Sequence, residues 1–283
     1  MKLLRIGPPG AERPVTLLPD GRALDLSGVL SEEGPYTPQV LADVAAAVAE
    51  RDLPEVATER QRFGSPLPLP GKIVCIGLNY RDHAAETGAP IPKEPIVFLK
   101  APDTVVGPND SVLVPRGSTK TDYEVELGVV IGTQARYLGS AEEGLAAVAG
   151  YVVSHDVSER EYQLERGGQW DKGKNCETFN PLGPWFVTAD EVGDPGNLGL
   201  RCWVNGELRQ DGSTKDLIFG VGELVRYLSQ FMVLRPGDVI NTGTPAGVAL
   251  GKPDPKPYLQ AGDVVELEID GLGRQRQVLE QAG

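Results

Sequence analysis

The segment from Lys72 onward constrains the fold more than any other part of the chain, because short apolar runs alternate there with glycine and proline. The 283 residues include 35 glycines and 24 prolines, and both residue types interrupt regular elements. The runs between them are rich in β-branched and apolar residues, which predicts strands at residues 72–76, 96–99, 112–114, 123–131, 150–154, 200–204 and 264–269. Asn205-Gly206 is typical of a two-residue hairpin turn.

Helical patterns are fewer, and they predict helices at residues 41–51, 140–148 and 219–231. Thr37 and Pro38 suit the N-cap and first position of the first helix, and Ser140 with Glu143 forms a capping-box pattern at the second. This distribution indicates an α+β class instead of alternating βαβ units. We expect a small N-terminal α/β unit at residues 1–65 and a larger domain at residues 66–283, with a proline-rich connector between them.

Charge and cysteine content exclude several classes of protein. The formal net charge of -13 argues against nucleic acid as a partner, because phosphate binding needs clustered Lys and Arg. No window approaches the roughly 18 apolar residues of a membrane span, so we expect no membrane partner. Cys75, Cys176 and Cys202 are too widely spaced for a disulfide framework or a zinc site, which favours a reducing cytoplasm.

Three carboxylates suggest a metal site. Glu124 and Glu126 lie two residues apart in an apolar run, so in a strand they point to the same face. Two like charges side by side repel unless water or a cation lies between them. Asp156 follows another apolar run and offers a third carboxylate. Oxygen ligands alone would suit Mg²⁺, Mn²⁺ or Ca²⁺. The alternatives are a wet acidic strand face for the glutamates and a helix cap for Asp156.

Other groups suggest acid–base chemistry and charge stabilisation. His83 and Glu86 would share one face of a helical turn, where a carboxylate orients an imidazole as a general base. Lys174 would hold a carbonyl or enolate oxygen if it lay beside a metal. In the glycine-rich turn at residues 242–247, backbone amides and Thr244 are candidates to hold a carboxylate. The alternatives are a surface His–Glu pair, an exposed lysine and a plain turn.

Taken together, these segments resemble the fumarylacetoacetate hydrolase family over about residues 70 to 275. The resemblance rests on six motifs in the family's order: Ile76-Gly-Leu-Asn-Tyr80 with His83, Asp122-Tyr-Glu-Val-Glu126, Ser154-His-Asp156-Val-Ser, Lys174 with Thr178-Phe179 and Pro181-Leu-Gly-Pro184, Arg235-Pro-Gly-Asp238, and Thr242-Gly-Thr-Pro-Ala-Gly247. It implies a mixed β-roll, sandwich-like fold with few helices, a homodimer, and one Mg²⁺ or Mn²⁺, with Ca²⁺ as a substitute in crystals.

The resemblance also implies roles for individual residues. The metal ligands would be Glu124, Glu126 and Asp156. His83 and Glu86 would form a water-activating dyad on a lid, and Lys174 would be the active-site lysine. The substrate-contacting positions would be Arg160, Gln163 and Thr244. One departure affects local specificity: Asn175-Cys176-Glu177 stands where relatives more often carry an aromatic residue followed by aspartate.

The implied reaction is metal-dependent hydrolysis of a carbon–carbon bond in a 2,4-dioxo acid. The substrate would be an acylpyruvate or a 2,4-diketo-3-deoxy sugar acid, and pyruvate would leave through an enolate held by the metal. The alternatives on the same site are isomerisation of 5-carboxymethyl-2-hydroxymuconate or 2-hydroxyhepta-2,4-dienedioate, oxaloacetate decarboxylation, hydration of a 2-oxo-pentenoate and ureidoglycolate lyase activity. Residues 166–174, together with the loop at residues 211–220, resemble the branch that cleaves 2,4-diketo-3-deoxy sugar acids or is labelled ureidoglycolate lyase. A non-catalytic protein that binds a metal or oxo acid is a further alternative, although it would not need a general base.

Overall fold

The computed structural model describes residues 1–31 and 34–283, and it has the predicted α+β fold, dominated by sheets. The strands up to residue 131 are β1 (Lys2–Ile6), β2 (Arg13–Leu17), β3 (Ala23–Asp25), β4 (Phe63–Gly64), β5 (Ile73–Gly77), β6 (Ile96–Lys100), β7 (Val105–Val106), β8 (Val112–Val114), β9 (Thr121–Asp122) and β10 (Val125–Ile131). The later strands are β11 (Val148–His155), β12 (Ser158–Glu159), β13 (Asn180–Pro181), β14 (Phe186–Thr188), β15 (Gly199–Val204), β16 (Glu207–Ser213), β17 (Val239–Asn241), β18 (Val264–Ile269) and β19 (Gly273–Gln281).

The helices are short apart from the first. They are α1 (Pro38–Glu50), α2 (Arg81–Glu86), α3 (Ala141–Ala146), α4 (Asp171–Lys174), α5 (Ala189–Val192) and α6 (Val221–Leu228). A π-helical turn covers Glu161–Glu165, and 3₁₀ turns cover Pro102–Thr104, Thr214–Asp216 and Ala249–Gly251. Among the described residues, no helix is long and apolar enough to cross a membrane.

Two large sheets build most of the fold, and four short strands form two further pairs, β9 with β12 and β7 with β13. The main sheet has the strand order β3-β2-β1-β14-β11-β10-β17-β5-β6, with β4 beside β1. A second sheet has the order β16-β15-β18-β19-β8. One apolar cluster joins β10 to this second sheet. It contains Leu127 of β10, Leu200 of β15 and Leu267 of β18. The central strands β10 and β11 are therefore covered, which explains why their sequences are almost continuously apolar.

Strand β10 confirms the predicted alternation of faces. Leu127 and Val129 lie in the cluster shared with the second sheet, whereas Val130 lies in a different cluster with Val152. The predicted start at Tyr123 is wrong by two residues. The backbone N–H of Tyr123 donates to the side chain of Asp122 at 2.9 Å, outside any strand ladder.

The N-terminal residues extend the main sheet. Strand β1 pairs with β14, placing Leu3 opposite Phe186, so these strands share a sheet with the larger part of the chain. The domain boundary at residues 65–66 stays a prediction.

The predicted helix start and hairpin turn are confirmed. Thr37 accepts the N–H of Val40 at 3.3 Å as the N-cap of α1, with Pro38 as its first residue. At the hairpin between β15 and β16, Asn205 and Gly206 have φ values of 52° and 80°, as the turn requires.

The other two helices are shorter than predicted. Ser140 caps α3 as expected by accepting the N–H of Glu143, but the helix ends at Ala146 because strand β11 begins at Val148. The third helix covers Val221–Leu228, inside the predicted 219–231.

Candidate active site

Three carboxylates meet where β10 begins and β11 ends. The two strands are antiparallel neighbours with Glu126 opposite Ser154, so Glu124 before β10 and Asp156 after β11 lie at the same end. Ligand oxygens of Glu124, Glu126 and Asp156 all lie within 4.8 Å of one another. These residues are 5%, 2% and 0% exposed, which excludes the wet acidic face. Asp156 does not cap a helix, because a short strand follows it.

Buried cations hold two of the three carboxylates. Lys174 Nζ donates to Glu124 Oε2 at 2.6 Å and to Asp156 Oδ2 at 3.0 Å. Arg160 Nη2 donates to Glu124 Oε1 at 2.6 Å, and Lys100 Nζ donates to Asp156 Oδ1 at 2.6 Å. Lys174 is only 2% exposed, so it is not a surface lysine. These pairs fix the orientation of the Glu124 and Asp156 carboxylates.

Glu126 has a different environment from Glu124. Burial would raise the pKa of Glu124, but Lys174 and Arg160 outweigh it and hold that pKa well below its ordinary value. Burial raises the pKa of Glu126 well above its ordinary value, and the charges of Asp156 and Glu124 raise it further. In residues 1–31 and 34–283, no Lys or Arg forms an ion pair with Glu126; Gly243 N–H donates to its Oε2 at 2.8 Å.

The carboxylate cluster fits a hard divalent cation. It offers buried oxygen donors only, and carboxylate oxygens that already accept one hydrogen bond keep a second lone pair. Glu126 faces two like charges and has no ion pair in the described part of the chain, and a bound cation would offset this repulsion. All-oxygen ligation suits Mg²⁺ or Mn²⁺ better than zinc.

His83 and Glu86 form the predicted pair on α2. His83 Nδ1 lies 3.5 Å from Glu86 Oε2, and His83 is 7% exposed, so the pair is not a surface feature. The Gly247 N–H donates to both Glu86 carboxylate oxygens, at 2.9 and 3.1 Å. Burial would raise the pKa of Glu86, but the neighbouring imidazole of His83 and the hydrogen bonds from Gly247 lower it. Glu86 thus stays anionic beside the imidazole, which favours proton acceptance by His83.

The turn at residues 242–247 holds carboxylates, but they belong to the protein itself. Besides the bonds from Gly243 and Gly247, the Ala246 N–H donates to Asp82 at 3.2 Å. Thr244 Oγ1 donates to the Val125 carbonyl at 2.9 Å and accepts from Gln210 at 2.7 Å. The turn therefore joins α2 to β10 through the amides of Gly243, Ala246 and Gly247 and the hydroxyl of Thr244. The buried Thr242 hydroxyl has no hydrogen-bond partner among the described residues.

Most of the predicted residues line one cavity of about 50 Å³. Those that line it are His83, Glu124, Glu126, Arg160, Gln163, Lys174 and Thr244. Glu86 contacts His83 from behind, and Asp156 contacts Lys174. The structure thus brings the predicted acid–base pair, carboxylates and lysine to one place.

Several residues of the site were not predicted. Lys100 and Asp122 are buried partners of the cavity's charged groups, and Phe98 and Trp170 form part of its wall. The alternation in β6 offered a signal, since Phe98 and Lys100 are two residues apart and both face inward. Asp122 gave no local signal, because its partner Arg160 lies 38 residues away.

Replacing Lys100 with methionine is expected to destabilise the fold by about 3 kcal/mol, because Asp156 loses one of its two buried cations. Urea unfolding followed by circular dichroism measures the change. Lys120→Met is the matched control, since Lys120 pairs with the exposed Glu165 at the surface and its loss should leave the midpoint unchanged. Equal midpoint shifts in the two variants would contradict a supporting role for Lys100.

A buried carboxylate cluster and an oriented imidazole around one cavity define an enzyme site on an α+β fold. The family model for the C-terminal domain of fumarylacetoacetate (FAA) hydrolase matches residues 72–280. The chain belongs to this family of enzymes, as the sequence motifs implied.

Known relatives span the whole chain. A Burkholderia multivorans protein named "Putative hydrolase" is 51% identical and covers 100% of both chains. Among solved structures, a "putative HpcE protein" from Mycobacterium smegmatis is similar at 38% identity with a TM-score of 0.87. A 5-carboxymethyl-2-hydroxymuconate delta-isomerase from the same species has 31% identity and a TM-score of 0.79. Maleylpyruvate hydrolase from Sphingobium sp. SYK-6, in complex with manganese (II) ion and pyruvate, has 28% identity and a TM-score of 0.80. All three matches cover 100% of both chains.

Proposed function

We propose that the protein is a metal-dependent hydrolase that cleaves a 2,4-dioxo acid, an acylpyruvate or a 2,4-diketo-3-deoxy sugar acid, and releases pyruvate. The observation that carries this proposal is the position of His83, with Glu86 behind it, on the same cavity as Glu124 and Glu126. A general base is needed to activate water, and a carboxylate cluster is needed to hold a cation. One small cavity offers both.

The metal and the chain would have separate tasks. A divalent cation held by Glu124, Glu126 and Asp156 would supply Lewis acidity toward the substrate's carboxylate and 2-oxo group. His83 takes a proton from water, and the negative charge of Glu86 stabilises the resulting imidazolium. The water oxygen then attacks the C4 carbonyl.

The C3–C4 bond breaks next, and its electron pair stays on the pyruvate part as an enolate. Lys174 lines the cavity as an ammonium group, because the charges of Asp156 and Glu124 outweigh burial and raise its pKa. Its charge offsets that of the enolate. The proton held by His83 returns to C3, which completes pyruvate and leaves the other fragment as a carboxylic acid.

The comparison with maleylpyruvate hydrolase supports the assignment. That protein was solved in complex with manganese (II) ion and pyruvate, the kind of ion and the product that the proposal assigns here. Its identity of 28% leaves the acyl part of the substrate open, so the substrate must be found by assay.

A substrate panel tests the proposal. Protein is incubated with Mg²⁺ or Mn²⁺, and then with chelator, against an acylpyruvate, a 2,4-diketo-3-deoxy acid, oxaloacetate and a hydroxymuconate. Pyruvate release from the first two that stops with chelator is expected. Carbon dioxide release, a tautomer shift without cleavage, or no reaction would each contradict hydrolase activity.

Isomerase activity is the second candidate, and the similarity to the hydroxymuconate isomerase favours it. Isomerisation needs an enolate but no attacking water, so the His83–Glu86 pair favours hydrolysis. Oxaloacetate decarboxylase and ureidoglycolate lyase activities have no comparable support. The homodimer and the cytoplasmic location stay predictions from the sequence.

A further inference from the structure

Arg160 lines the cavity, but each arm of its guanidinium already has a buried partner. Nε donates to Asp122 Oδ2 at 2.8 Å, Nη1 to Gln163 Oε1 at 2.9 Å, and Nη2 to Glu124 Oε1 at 2.6 Å. The side chain is 4% exposed. If Arg160 turned toward a ligand, the buried Asp122 would lose its ion-pair partner and Glu124 would keep only Lys174, at a high cost in free energy.

Asp122 fixes Arg160 in this position. Its two oxygens accept the backbone N–H groups of Ala249, at 2.8 Å, and Leu250, at 3.0 Å. Asp122 is 0% exposed, so it cannot follow Arg160 into the cavity. Arg160 therefore supports Glu124 and Gln163, and Asp122 and Glu124 already compensate its charge. Its two remaining N–H groups could donate to a ligand, but they bring no unpaired positive charge to a second anionic group.

The formal charges around the cavity leave room for one anion. Four buried carboxylates (Asp122, Glu124, Glu126 and Asp156) face three buried cations (Lys100, Arg160 and Lys174). Glu86 adds one more carboxylate beside His83, and Lys252, whose Nζ lies 3.9 Å from Glu86 Oε1, adds one more cation, so the negative excess stays at one. A divalent cation would turn this single negative excess into a single positive one. The carboxylate of one 2-oxo acid then balances it, and a second carboxylate would stand without a counter-charge.

The rest of the wall is apolar or neutral. Ile76, Leu78, Phe98 and Trp170 line it, and within the described part of the chain Arg160 and Lys174 are the only Lys or Arg among the lining residues. Gln163 is 4% exposed and accepts from Arg160 through Oε1, which leaves its Nε2 group as the donor for a ligand. Such an amide suits a hydroxyl or carbonyl oxygen and cannot neutralise a charge.

We propose that this site selects substrates with a single carboxylate, so that the group beyond the C4 carbonyl is uncharged. This inference rests on the proposed hydrolase function and narrows its substrate class. A neutral acyl group, with or without hydroxyls, packs against Phe98 and Trp170 and reaches Gln163. A terminal carboxylate would be buried against the same wall without a cation.

Two substrates of equal chain length test the inference. They are 2,4-dioxoheptanoate and 2,4-dioxoheptanedioate, which differ only in a methyl or a carboxylate at C7. With Mn²⁺, kcat/KM for pyruvate release is expected to favour the monoanion by about 100-fold, the difference made by burying one unpaired charge. Equal rates, or a preference for the dianion, would overturn the inference and leave the hydrolase function intact.

Binding to the His83→Ala variant gives a readout that does not depend on turnover. Calorimetry with Mn²⁺ present is expected to give a Kd about 100-fold lower for the monoanion. If neither compound releases pyruvate from the unmodified protein, the hydrolase function fails, and these two Kd values still decide the charge preference. Equal Kd values would overturn it.

A charge placed in the wall should reverse the preference. Trp170 packs directly on Gly77, where an added Cβ would lie 2.5 Å from the indole, so a side chain at position 170 reaches the cavity wall. Trp170→Arg is expected to improve dianion cleavage relative to the monoanion by at least about 10-fold, the effect of one added counter-charge. Trp170→Met is the uncharged control, and an equal change in both variants would contradict the charge argument.

Discussion

Replacing Glu126 with glutamine is expected to lower kcat/KM for pyruvate release by at least about 1,000-fold, and to weaken Mn²⁺ binding at least about 100-fold. Glutamine keeps the size of the side chain and an oxygen for the Gly243 N–H. It removes the one charge of the carboxylate cluster that has no ion pair in residues 1–31 and 34–283. Metal-ion catalysis contributes several kcal/mol, and about 1.4 kcal/mol corresponds to a tenfold change in rate.

A coupled pyruvate assay measures the rate, and calorimetry measures Mn²⁺ affinity. Glu142→Gln is the matched control. Glu142 is exposed in the first turn of α3 and does not line the cavity, so this variant should behave like the unmodified protein. Unfolding of Glu126→Gln should need at least as much urea as before, since glutamine keeps an oxygen for the Gly243 N–H and removes a buried like charge. Full-rate, metal-independent turnover by Glu126→Gln would refute the metal scheme.

Replacing His83 with alanine is expected to lower kcat for hydrolysis by about 100- to 10,000-fold, the usual contribution of a general base. Mn²⁺ affinity should stay within about threefold, because the carboxylates and their cations do not involve His83. A large loss of kcat with a nearly unchanged Kd for Mn²⁺ distinguishes this variant from Glu126→Gln, which is expected to lose both turnover and Mn²⁺ affinity. Stopped-flow measurement of pyruvate release and calorimetry provide the two numbers.

Glu86→Gln serves as the graded companion to His83→Ala. Glutamine keeps an oxygen near His83 Nδ1 but loses the charge that stabilises imidazolium, so a smaller loss of about 10- to 100-fold is expected. A loss of metal binding in His83→Ala equal to that in Glu126→Gln would instead place His83 among the metal ligands.

Local sequence patterns predicted the parts of the site that depend on one element. The two-residue period placed Glu124 and Glu126 on one face, and the three-residue spacing placed His83 beside Glu86. Asp156 was found because it ends an apolar run. These predictions needed only the geometry of a strand or a helical turn.

Long-range pairings could not be predicted from such patterns. Lys100 reaches Asp156 across 56 residues of sequence, and β1 joins the main sheet beside β14, with Leu3 opposite Phe186. The two-residue alternation along β6 predicts that Lys100 faces inward, but it does not predict which carboxylate Lys100 binds. The commitment of Arg160 to Asp122 became visible only in three dimensions, and it changes which substrates we expect.

The most direct test of the account is pyruvate release by metal-stripped protein as Mn²⁺ is returned, with 2,4-dioxoheptanoate as substrate. No release above background is expected in chelator, and the rate should then rise and saturate at one Mn²⁺ per chain. Release at the full rate in chelator, before any Mn²⁺ is added, would contradict the assignment of Glu124, Glu126 and Asp156 as the metal site of a hydrolase.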